Sequence, residues 1–123
     1  MVELSECQRT LLEQIKSEDP DFMSKYGVET IVKDGDFKLK FCLRNPGVKV
    51  NLIIEYNIGD DLYDIEGWTL DGIDYWLSYE LDGAFWEMIP DAFKGALKAG
   101  RDKSQKPLVS QLMQNHIDLE KHR

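Results

Sequence analysis

The sequence predicts an α+β fold, on the strength of three observations. Residues 4 to 17 place apolar side chains at helical spacing. From residue 28 to about residue 89 the period falls to two, and after Pro90 it becomes helical again. The strands come in one unbroken run with no room for crossover helices. The expected architecture is therefore an N-terminal helix, an antiparallel β-meander of five to six strands, and two C-terminal helices packed on one face of the sheet.

The first helix carries Leu4, Cys7, Leu11, Leu12 and Ile15 on one face. Ser5 followed by Gln8 fits a capping box, in which each side chain satisfies the other residue's backbone N–H. Pro20 ends the pattern. Turn signals then recur about every dozen residues, at Asp34-Gly35, Asn45-Pro46-Gly47, Gly59-Asp60, Asp71-Gly72 and Asp82-Gly83. Asp-Gly flanked by alternating residues is a strong hairpin signal, because a two-residue primed turn needs positive φ. The strands expected from this spacing cover about 28–33, 36–43, 48–57, 62–70, 73–81 and 84–89. DAFKGALKAG reads as a short helix ending at Gly100. A basic linker, RDKSQK, precedes Pro107 and a last amphipathic helix over 107–121, whose stripe is Leu108, Val109, Leu112, Met113, His116 and Ile117. The whole chain, 1–123, reads as one domain, with 106–123 as its C-terminal helical segment.

Pairing outward from each turn assigns faces, since directly opposite residues share one. Val28, Thr30 and Val32 fall with Phe37, Leu39, Phe41 and Leu43, and then with Val48, Val50, Leu52 and Ile54. Lys38, Lys40 and Lys49 fall on the other side, which makes a basic face. Across Asp71-Gly72 and Asp82-Gly83, one set holds Asp64, Glu66, Trp68, Leu70, Ile73, Tyr75, Leu77, Tyr79, Leu81, Ala84, Trp86 and Met88. That set is mostly apolar and is assigned to the core. The opposite set holds Tyr63, Ile65, Gly67, Thr69, Asp74, Trp76, Ser78, Glu80, Phe85, Glu87 and Ile89, with Trp76 lying over the bare backbone of Gly67. Three helices of ~10 Å diameter cover one face of a six-stranded sheet and leave the other open. The second set is therefore the expected solvent face.

Charge narrows the classes of function. The chain carries 15 basic and 23 acidic side chains, a net charge of −8. Positions 50 to 93 hold seven Asp and four Glu and no Lys or Arg. An acidic pole of this kind repels nucleic acid and anionic membranes and attracts basic partners. No apolar run reaches the ~20 residues of a membrane span, and the N-terminus lacks signal-peptide order. The two cysteines, Cys7 and Cys42, form no zinc or redox motif and read as reduced thiols of a cytoplasmic protein.

Candidate chemistry is sparse. Asp64 or Glu66, buried at the core face, would have a raised pKa and could act as a general acid in hydrolase or isomerase chemistry. The other reading of this pair is a sheet margin or a bulge near Gly67 that returns both to water. Asp60, Asp61 and Asp64 could together approach a Mg²⁺ ion, although they do not form an EF-hand. His116 and His122 are the only histidines, so a Ser-His or Cys-His system would need the last helix to supply its base. No phosphate loop or dinucleotide fingerprint occurs, and no cofactor is expected.

The expectation that combines these features is a small acidic, non-enzymatic protein-interaction module of the inhibitor, immunity or chaperone kind. It would bind a basic protein through an acidic-aromatic sheet face made of Tyr63, Ile65, Asp74, Trp76, Glu80, Phe85 and Glu87. Size, low pI and an amphipathic last helix resemble bacterial secretion chaperones, which however carry a helix within the sheet order that is not seen here. Two alternatives stand beside this: a small-molecule or catalytic site between the sheet and the C-terminal helix, and a homodimer that uses the same sheet face.

Overall fold

Helix α1 (Glu6–Glu18) begins where the capping box places it. The Ser5 side chain accepts from the Gln8 N–H, and the Gln8 side chain accepts from the Ser5 N–H. In the computed structural model, which describes residues 3 to 102, a short helix α2 (Phe22–Tyr26) follows. Five antiparallel strands come next: β1 (Val28–Asp34), β2 (Lys38–Asn45), β3 (Val48–Asn57), β4 (Leu62–Asp71) and β5 (Asp74–Ala84). They form one sheet in sequence order. A 3-10 turn (Trp86–Met88) leads into α3 (Ile89–Arg101), which has Pro90 in its first turn. The expected last helix at 107–121, with His116 and His122, lies outside the described residues.

The fold is α+β as expected, with five strands. The expected sixth, 84–89, is instead the end of β5 at Ala84, the 3-10 turn and the start of α3. Asp82-Gly83 does not close a hairpin. It forms a bulge inside β5, since Ile65 pairs with Leu81 and Tyr63 with Ala84. Gly83 takes φ of 72°, and its N–H donates to the Asp64 carboxylate at 3.0 Å. A positive-φ glycine suits a bulge as well as a primed turn, and the dipeptide alone does not distinguish them.

One side of the sheet is the core. Leu39, Phe41, Leu43, Val50, Leu52, Ile54, Tyr63 and Ile65 point into it and meet Leu11, Ile15, Phe22, Phe93, Ala96 and Leu97 of the helices. At its centre Phe93 packs edge-on to Phe41 at 5.3 Å and stacks on Tyr26 at 5.1 Å. Ring pairs of this kind contribute about 0.5–1.5 kcal/mol beyond area burial. The Tyr26 hydroxyl donates to Asp19 at 2.5 Å, and Lys25 adds an ion pair at 3.3 Å. The Tyr26 hydrogen bond, more than the lysine, holds the Asp19 carboxyl below its usual range against the opposing effect of burial. Gln8 is buried, and its amide donates to the carbonyls of Gly35 and Lys38 at 2.8 and 2.9 Å, tying α1 to the β1–β2 turn.

Helix α3 sits very close to the sheet. A Cβ on Gly100 would stand 2.8–2.9 Å from Val48, Val50 and Thr69 side-chain atoms. Gly100 therefore serves close packing within the helix, which runs on to Arg101, rather than ending it. Gly27 ends α2 in the left-handed conformation, and a Cβ there would meet the Arg44 carbonyl oxygen at 2.1 Å.

Two stability outcomes follow. Gly27 and Gly35 both have positive φ, but nothing lies within 4 Å of a Cβ at Gly35. In thermal melts Gly35→Ala should cost about 1–2 kcal/mol of backbone strain alone. Gly27→Ala should cost clearly more, and equal losses would reject the contact argument. Burial pushes the Tyr63 hydroxyl up from 10.0 to about 12. The unfolded chain then ionises this group first. Its contribution is complete below pH 10 and lost as pH rises to 12. Tyr63→Phe should make stability fall less steeply across that window. Tyr26, Tyr56, Tyr79 and Cys7, also shifted up, add to the alkaline slope.

Candidate functional site

The described helices all pack on one face, so the other face of the sheet is the surface on which a site can be built. Its membership follows from strand pairing. Four rows cross it. The first is Asp34, Lys38, Glu55 and Asp64, and the second is Val32, Lys40, Ile53, Glu66 and Glu80. The third is Thr30, Cys42, Asn51, Trp68 and Leu77, and the fourth is Arg44, Lys49, Leu70 and Tyr75.

This corrects the face assignment on the second half of the sheet. The pairings across β4 and β5 did group Trp68, Leu70, Tyr75 and Leu77 together, but that group faces outward. Tyr75 is 54% and Leu77 41% exposed. Of the seven residues expected to form the binding face, Tyr63, Ile65, Asp74 and Trp76 are buried, Ile65 at 0% and Trp76 at 3%. Ile89, expected on the same side, is the first residue of α3 and is buried in the core. The physical reason is continuity with β3. Leu52 pairs with Gly67 and Ile54 with Ile65, so the core face of β3 continues through the odd-numbered residues of β4. Trp76 pairs with Thr69, and Tyr79, not Trp76, lies opposite Gly67. Glu80 does stand on the open face, opposite Glu66. Phe85 and Glu87 are exposed but lie beyond the sheet, in the connection to α3 and its 3-10 turn.

Bulges account for the other departures. An irregularity between Val28 and Thr30 reverses β1, so Ile31 turns toward the core while Thr30 and Val32 face out. A second, between Gly67 and Trp68, leaves Ser78 as the extra residue of β5. The Ser78 hydroxyl bonds the Gly67 carbonyl at 3.1 Å and lies 2.5 Å from the Thr69 hydroxyl. This bulge returns Tyr79 and Leu81 to the core side while keeping Glu80 outside. The turns also differ. Asp34 pairs with Lys38 around a three-residue loop that leaves Phe37 exposed, and Asn45 pairs with Val48 around Pro46-Gly47.

Asp64 and Glu66 are on the open face and not on the core face. The Asp60, Asp61 and Asp64 carboxylates have separate uses. Asp60 accepts from Asn57, Asp61 accepts from the Tyr56 hydroxyl, and Asp64 accepts from Gly83. Among the described residues no cluster of three or more acidic, His or Cys side chains is placed to hold a metal. No described helix is long and apolar enough to cross a membrane. The thiols of Cys7 and Cys42 are unpaired and half-buried, and burial raises the Cys7 pKa.

The resulting surface has three zones. Trp68, Leu70, Tyr75 and Leu77 form an apolar strip, with the Trp68 and Tyr75 rings 6.1 Å apart. Together with Lys40, Asn51 and Ile53, three of these line a shallow depression of about 290 Å³. Toward the far end of β4 and β5, Glu55, Asp64, Glu66 and Asp82 line an acidic hollow of about 350 Å³ with Lys38 at its edge. Lys38, Lys40, Arg44 and Lys49 make the β2 side basic. Comparison with known families, characterised proteins and solved structures returned no match.

Glu66 and Glu80 are directly opposed like charges, which destabilises a strand pair by a few tenths of a kcal/mol or more. Glu80→Lys should therefore raise the melting temperature by a few degrees. A fall would show that this pair is not a stability cost carried by the surface.

Proposed function

We propose that the protein is a small acidic, non-enzymatic protein-interaction module, inhibitor-, immunity- or chaperone-like, that binds a basic protein partner through the open face of its sheet. The observation that carries this is the apolar strip of exposed Tyr75 and Leu77 and half-buried Trp68 and Leu70, bordered by Glu55, Asp64, Glu66, Glu80 and Asp82. Large apolar side chains standing together in water are unusual on a monomer and suit a partner that covers them. Aromatic side chains supply desolvated anchors, and a carboxylate border steers and orients a positively charged partner. The residues of this face replace most of those expected from the sequence. The chemistry, aromatic and acidic on one side of the sheet, is the same. Cytoplasmic location belongs to the same reading.

Affinity capture at low salt from an extract of the source cells tests it. The wild type and Phe85→Ala should retain the same basic protein. Trp68→Ala/Tyr75→Ala and Glu66→Lys/Glu80→Lys should each lose it by about tenfold or more, with circular dichroism unchanged. Retention by both double variants would reject the proposal. The association rate of the captured protein should also fall as salt rises from low to physiological strength.

A further inference from the structure

The open face is complementary to itself. Among its charged side chains, Lys38, Lys40 and Arg44 are on β2 and Asp64 and Glu66 are on β4, with β3, which carries Glu55 and Lys49, between. A two-fold axis parallel to the strands and running over β3 places β2 of one copy over β4 of the other. In that arrangement Lys40 faces the partner copy's Glu66, and Lys38 faces its Asp64, because each pair shares a row. Ile53 and Asn51 lie on the axis at the centre of the face and meet their own symmetry mates, with the like-charged Glu55 and Lys49 pairs at its two ends. An axis across the strands would instead set each strand against itself with the row order reversed, which places Lys38 over the partner copy's Arg44, base on base, and the β4 acids over Trp68 and Leu70.

We infer that a second copy of this chain occupies the open face in the purified protein, as an isologous dimer with sheets stacked face to face. The inference rests on the reading of this face as an interaction surface and names the occupant it takes in the absence of another partner. Three further observations support it. Among the described residues Lys40, Glu66 and Glu80 form no ion pair, so their charges are available to a neighbour. Glu55, which would approach its own mate near the axis, already has Lys38 at 3.8 Å. The face is ~20 Å wide and ~30 Å long, on the order of 600 Å² per copy, the lower end of what a specific interface buries. Sheets stacked in this way lie ~10 Å apart, with mean strand directions within ~30°. A small interface held by charge pairs weakens with salt, which leaves the face open to a competitor.

Light scattering and sedimentation of the full chain at low salt test this directly. The wild type should reach twice the 14.3 kDa chain mass as concentration rises. Lys40→Glu and Glu66→Lys should each weaken the dimer roughly tenfold or more, since like charges would then face each other. The doubly swapped chain, Lys40→Glu/Glu66→Lys, restores opposite charges across the axis and should dimerise like the wild type. Glu66→Lys also removes an intrachain repulsion, so a loss of dimer together with a raised melting temperature would exclude misfolding as its cause. A wild type that stays monomeric at every concentration overturns the inference, as do single variants that dimerise normally or a double swap that fails to recover. These readouts need no other protein, so their failure is distinguishable from failure to capture a basic partner.

Discussion

The pairing of β3 with β4 is the constraint on which the rest of this molecule depends. β3 brings Val50, Leu52 and Ile54 from the first half of the sheet, where alternation is unambiguous. Its partners on β4 are Thr69, Gly67 and Ile65. Once that register is set, every later residue of β4 has its side decided. Gly67 and Thr69 must lie under α3, which is why the helix can come so close there and why it carries Ala96 and Gly100 on that surface. Trp68 and Leu70 must then face away, although nothing in their own chemistry requires it.

The same constraint creates the candidate site. A side chain such as Trp68 is normally drawn to a core, but here the core position opposite is taken and the register allows no slip. A one-residue shift would move Ile65 and Tyr63 into water along with every other side chain of the strand. The apolar strip on the open face is thus stable as part of the sheet and unsatisfied as a surface. The acids beside it are tolerated because the open face is wet. Glu66 and Glu80 could not stand opposite each other in the interior. Interaction chemistry and fold chemistry are separated by a single backbone layer.

Bulges set the limits of the open face. Ser78 absorbs the parity change in β5, so that Leu77 points out, Tyr79 points in and Glu80 points out again. Asp82-Gly83 bends the end of β5, where Asp64 holds the Gly83 N–H. Both irregularities lie on an edge strand. There an extra residue disturbs one ladder only and also makes the edge a poor template for another strand.

Much of the fold was legible in the residues themselves. The capping box of Ser5 and Gln8, the helical stripe ending at Ile15, the switch to period two and the turn dipeptides determined α1, the meander and the approximate strand limits. They did so because these features act over a few neighbouring residues. The first half of the sheet was also legible on β2 and β3, where lysines on one side leave no doubt about the other. The second half was not, because β4 and β5 carry apolar residues on both sides, and local alternation cannot rank two such faces. The available signal was the alternation of β3 carried across the 58–61 loop, a long-range argument that each hairpin taken alone does not contain. By itself the sequence determined that aromatics and acids would share one face of an antiparallel sheet. Only the tertiary structure decided that Trp68 and Tyr75, and not Trp76, would stand on it. The reason is that burial is settled by what packs on the sheet as a whole, and α3 had already chosen its side.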